Sequence, residues 1–418
     1  MPYSGGMAYP RVLHPFAVPA RDAQDYLEIV RGDGSRVYDA DGRSYLDGTA
    51  SLWYCAAGHG RREIIDAITA QLNELESYHT FARFTNRPED RLAELIIEDL
   101  EPIHDARVLF TSGGSEAIDS AIKLVRAGHK AAGEGGRSVF LSRHYAYHGV
   151  MLGGTSAAGL PANRDPYGTL LPDFFQVERD SVDAMREAVA YHGPERIAAI
   201  MAEPVIGAGG VFPPPDGYLQ GLRDLCDECG ALLVYDEVIT GFGRLGSWFA
   251  SHHFGVTPDV MSFAKQVTSG YLPLGGVIVG PRLRGWLEAD PGYLLAHGNT
   301  YAGHPTCCAA GVANLELMRA EDLPARAGAA GARLRAGLDG LASHPGVVEI
   351  RGEGLMQAVA LASPLTHGAV TEALLARGVI SRGLAYANSV AYSPPLIITD
   401  EEVDELVAAT AAVLDELT

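Results

Sequence analysis

Short apolar runs, β-branched or aliphatic and each bounded by glycine, proline or charge, recur through the middle of this chain with helical patterns between them. Residues 107–110, 138–141, 197–202, 231–235, 260–263 and 276–279 read as buried strands, and 116–129, 181–191 and 218–229 as helices. Such alternation implies an α/β domain with a large, mainly parallel central sheet. A ligand site is then expected at the carboxyl ends of the strands.

The two ends of the chain look different. Residues 37–46, Val37-Tyr-Asp-Ala-Asp-Gly-Arg-Ser-Tyr-Leu46, read as a hairpin turning at Asp41-Gly42. After about residue 309 come Ala/Leu-rich helices, a strand-like region over 347–361 and a closing helix from Asp400. At 418 residues the chain suits a large domain with a smaller companion. The expected division is 59–308 for the large α/β domain, with 1–58 and 309–418 together forming a smaller α+β domain.

Composition excludes several classes. A hydrophobic share of 47% and a charged share of 20% are those of a folded globular chain. A formal net charge of −20 repels nucleic acid and anionic membrane surfaces, so neither is expected as a partner. Residues 1–22 have no apolar signal core, and no run reaches the eighteen or so apolar residues that span a bilayer. A cytoplasmic protein is expected. Cys226 and Cys229 form a CxxC within a helical pattern, but Cys307-Cys308 is a vicinal pair, so a four-thiolate zinc site is poorly supported and no metal is expected.

Three motifs carry chemistry. Thr111-Ser-Gly-Gly-Ser-Glu-Ala117 joins a strand to a helix; its backbone N–H groups suit a phosphate, with Gly114 and Ser115 best placed. A plain serine cap on a surface helix is the bland alternative. Ala231-Leu-Leu-Val-Tyr-Asp-Glu-Val238 ends an apolar strand in an acidic pair. A buried Asp236 needs a cationic partner, either a protonated ring nitrogen or simply Arg244. Met261-Ser-Phe-Ala-Lys-Gln-Val-Thr-Ser-Gly270 places Lys265 between a buried strand and a Gly/Pro-rich loop. A lysine in such surroundings has a lowered pKa and serves as nucleophile and proton carrier.

In this order the three motifs resemble the class III (ω-type) aminotransferases, fold-type I pyridoxal-phosphate enzymes. Further segments match: Ala146-Tyr-His-Gly149, Ala202-Glu-Pro-Val205, Thr240-Gly-Phe-Gly-Arg244, His297-Gly-Asn-Thr-Tyr301 and Ser393-Pro-Pro-Leu396. The resemblance implies pyridoxal 5′-phosphate as cofactor, joined to Lys265, with Asp236 on its ring nitrogen. It implies Gly114 and Ser115 on the phosphate, Tyr147 and Val238 on the two ring faces, and His148 close by. It also implies a homodimer in which Thr300 reaches the partner's phosphate. The expected reaction is a ping-pong transfer from an amine or ω-amino acid to a keto acid, pyruvate before 2-oxoglutarate. An aminomutase, racemase or decarboxylase on the same scaffold is the alternative.

On the substrate side the resemblance points to Trp53, Tyr54, Phe81 and Glu203. Where many members carry a carboxylate-binding arginine, this chain has Leu384. Arg382 stands two residues away, on the same strand face but displaced by roughly 6–7 Å unless a bulge intervenes. Gly241-Phe-Gly-Arg-Leu-Gly246 fits GxGxxG but does not open a βαβ unit, so it does not indicate a dinucleotide site.

Overall fold

The computed structural model describes residues 11–418; the first ten residues of the N-terminal stretch considered above lie outside them. A seven-stranded sheet forms the centre, in the order Arg107–Thr111, Gly275–Val279, Val260–Phe263, Leu232–Asp236, Ile197–Ala202, Val139–Arg143 and Phe174–Val177. Gly275–Val279 runs antiparallel to both of its neighbours. The five strands beyond it are mutually parallel.

Burial on both faces explains the unbroken apolar runs. Along Leu232–Asp236, Leu232 and Val234 join the core under the helix Gly114–Ala131, while Leu233 and Tyr235 face the opposite core with the helices Val182–His192 and Tyr218–Cys229. That alternation sends Asp236, two residues beyond Val234, toward the Gly114–Ala131 side.

The smaller part draws on both termini. Ile29–Asp33, Arg36–Asp39 and Ser44–Asp47 form a sheet closed by Val379–Ile380, which pairs in parallel with Ser44–Asp47. A second four-stranded antiparallel sheet comprises Val347–Glu353, Met356–Leu361, Ser389–Tyr392 and Arg382–Leu384. The helix Pro305–Ala320 runs across residue 309, and Asp400–Leu417 closes the chain behind a capping box of Thr399 and Glu402. No helix of the described residues is long and apolar enough to cross a membrane.

Candidate active site

One end of the large sheet gathers the chemistry. Thr111 leads into Gly114, Arg143 into Tyr147 and His148, Ala202 into Glu203, Phe263 into Lys265, and Asp236 ends its own strand. All lie past carboxyl ends of strands, as expected for an open α/β sheet. Gly114, Ser115, Tyr147, His148, Glu203, Asp236, Val238 and Lys265 line one chamber of about 140 Å³.

Each wall has a local cause. The helix Gly114–Ala131 starts without a side-chain cap, so the N–H groups of its first turn face the chamber unsatisfied. The Ser115 hydroxyl accepts the Val150 N–H at 3.1 Å and keeps its proton to donate. Gly149 is required beside it. Its φ is +93°, and a Cβ there would meet Ser115 Oγ at 2.6 Å.

Asp236 accepts from the Val238 N–H at 3.1 Å and pairs with His148 Nδ1 at 2.9 Å, both side chains buried. Among the described residues His148 Nε2 has no hydrogen-bond partner. Arg244 is not the counter-ion of Asp236; its guanidinium donates to the carbonyls of Leu355 and Pro394.

Lys265 is half-buried at φ +51°, a left-handed conformation costly for a side-chain-bearing residue. Burial holds its pKa below the usual lysine value, against the opposing pull of Asp236 and Glu203. Glu203 is fully buried. Its carboxyl is pushed above the usual range by burial, while its oxygens accept the Tyr147 and Gly207 N–H groups at 2.9 and 2.8 Å.

A second chamber of about 390 Å³ opens from the first, sharing Lys265, Tyr147 and Ile239. Trp53, Leu160, Leu384 and Tyr386 give it an apolar wall, and Arg382 enters from the strand Arg382–Leu384. That strand pairs with Ser389–Tyr392 in unbroken register, so no bulge moves the arginine. Arg382 and Leu384 simply share a face and both line the chamber. Phe16 and Tyr386 were not anticipated: each is exposed, in a segment without a strong periodic pattern.

Three expected residues stand apart in the single chain. Tyr54 packs beside Gly270 and lines a separate cleft with His59 and Tyr271. Phe81 lines a third cavity with His297 and Gly298, and Thr300 is exposed on the same loop. Among the described residues no cluster of three or more His, Cys, Asp or Glu side chains is arranged to hold a metal.

A sequence profile described as aminotransferase class-III matches residues 17–414. The chain belongs to the class III aminotransferases. A diaminobutyrate–2-oxoglutarate transaminase of Halomonas elongata is 34% identical, over 93% of this chain and 90% of its own. A mitochondrial gamma-aminobutyrate transaminase of Oryza sativa subsp. japonica is 35% identical over 91% and 80%. An amine transaminase from an uncultivated Pseudomonas species, solved with pyridoxal phosphate, superposes with a TM-score of 0.93 at 38% identity, covering 98% of this chain and 100% of that one. The omega transaminase of Pseudomonas jessenii, at 33% identity, gives the same score over 97% and 96%. The cofactor of this aminotransferase is pyridoxal phosphate. The residues of the smaller chamber fit it: helix N-terminal N–H groups for a phosphate, a buried carboxylate for a ring nitrogen, and a chamber-lining amine for the aldehyde.

Proposed function

We propose that this aminotransferase moves an amino group from an amine or ω-amino acid to a keto acid, with pyruvate the favoured acceptor, in two half-reactions sharing one site. The observation that carries this reading is Arg382. It lines the otherwise largely apolar chamber beside Lys265 and has no ion pair or hydrogen bond among the described residues. Both Glu203 oxygens are occupied by backbone N–H groups, which leaves the guanidinium without that competitor.

Pyridoxal phosphate, when bound, supplies an electron-withdrawing ring that takes up the charge left as the donor carbon loses its proton. Lys265 Nζ carries that proton away; burial lowers its pKa and so favours the free amine. Asp236, oriented by His148, holds the ring nitrogen in its protonated form. Gly114 and Ser115 bind the phosphate; Tyr147 and Val238 flank the ring. Trp53 and Leu384 accept an apolar donor, and Arg382 binds the carboxylate of the acceptor in a charge-assisted pair. In the proposed homodimer, Thr300 and Phe81 serve the partner's site: Phe81 lines the third cavity, Thr300 is exposed on the loop beside it, and neither lines this chain's own two chambers.

Adding a hydrophobic monoamine to the cofactor-loaded enzyme without keto acid should release one equivalent of carbonyl product per site, and pyruvate should then return alanine. Failure to release any carbonyl product from monoamines or ω-amino acids would overturn the reading. Arg382→Ala should raise KM for pyruvate by roughly 10- to 150-fold, the span of a hydrogen bond to a charged group. The monoamine half-reaction should change little; an equal loss in both half-reactions would remove the arginine from acceptor binding.

A further inference from the structure

Trp53 is buried in the wall of the substrate chamber, yet its indole Nε1 has no hydrogen-bond partner. Shape alone seats the ring, which lies so close to Gly207 that a Cβ there would come within 2.6 Å of Trp53 Cζ3. The backbone beneath it is strained: Ala50, Ser51 and Trp53 have φ of +46°, +61° and +62°. Something outside the turn must hold it there.

The buried carboxylate of Asp47 is that support. It accepts the Ser51 N–H at 2.7 Å and the Thr49 N–H at 3.3 Å, and His59 Nε2 lies 3.0 Å from the same oxygen that holds Ser51. Thr49 in turn receives the Trp53 N–H on its carbonyl at 2.8 Å. Asp47 itself is fixed, because its strand pairs with Val379–Ile380 and its N–H donates to the Ser35 carbonyl. Asp47 thus ties the anchored sheet to the pocket wall, with the Thr49 hydroxyl adding a bond to the Ser51 carbonyl at 2.9 Å.

We propose that Asp47 is a positioning residue for donor selection, holding the left-handed turn at residues 50–53 so that Trp53 faces the substrate. Neither Asp47 nor His59 lines the chamber, and Asp47 acts through the turn that carries Leu52 and Trp53 into it. The inference rests on the proposed amine-donor reaction.

Its test is a double-mutant cycle of wild type, Asp47→Asn, Trp53→Ala and the combined variant. The quantity read is the ratio of kcat/KM for an arylalkylamine to that for a short ω-amino acid. Asp47→Asn should lower this ratio by on the order of tenfold, the scale of a misplaced pocket wall. In the Trp53→Ala background it should change the ratio far less. An equal change in both backgrounds, or equal loss with both donors, would overturn the proposal and mark Asp47 as a merely structural residue. Asp47→Glu, which keeps the charge and shifts the oxygens by one methylene, should move the ratio in the same direction and serves if Asp47→Asn fails to accumulate. Wild-type enzyme that turns over neither donor would instead sink the donor reading, before any variant is made.

Discussion

Replacing Lys265 with alanine should abolish multiple turnover and leave a folded protein. Among the described residues the amine is the one lysine lining either chamber; His148 beside it is paired with Asp236, and the neighbouring apolar space offers Arg382, a guanidinium that stays protonated. Losing a positioned proton carrier costs up to about 10⁴-fold, and loss of the covalent attachment adds to it. Asp236 keeps its pairing with His148 after the truncation, so the melting temperature should stay near that of the wild type. The check is product counted per site over many hours. More than one equivalent, at a rate within a hundredth of wild type, would remove Lys265 from its role.

Asp236→Asn should have the next largest effect, a fall in kcat on the order of 10²- to 10³-fold, the range found when one preorganised electrostatic contact is lost. Asparagine matches the aspartate in size and can still accept from His148 Nδ1, so stability should change far less than rate. The pH response gives an independent sign. Asp236 raises the Lys265 pKa against burial, so removing the carboxylate should lower that pKa further. The pH at which cofactor-free protein becomes able to take up pyridoxal phosphate should therefore move down. An upward move would show that Asp236 does not act on this amine.

Much of this was legible in the sequence because the large sheet is buried on both faces. The runs at 197–202 and 260–263 match strands residue for residue, and the chemistry-bearing motifs sit where those strands end. Phe174–Val177 was missed: it is an edge strand of four residues with one face half-open, too short for its pattern to stand out. The first strand of the small sheet, Ile29–Asp33, is almost wholly exposed and escaped for the same reason. Tertiary pairing decided what periodicity could not. His148 joins Asp236 across 88 positions, and Arg382 is brought beside Lys265 by a small sheet pairing residues from distant segments. The antiparallel sense of Gly275–Val279 was equally hidden, since an apolar run does not announce its direction.

The parallel pairing of Val379–Ile380 with Ser44–Asp47 has a consequence for the chain as it leaves the ribosome. The cofactor chamber draws only on residues from Gly114 to Lys265, and Gly275–Val279 completes the sheet around it. The substrate chamber also needs Leu52 and Trp53 from one end and Arg382 to Tyr386 from the other. Domains form from the N-terminal side at about 5–20 residues per second during synthesis, so the last hundred residues arrive several seconds after the sheet is whole. The order of synthesis thus separates two sets of wall residues in time: those that line the cofactor chamber within one chain are all made before Arg382 to Tyr386, which the substrate chamber needs.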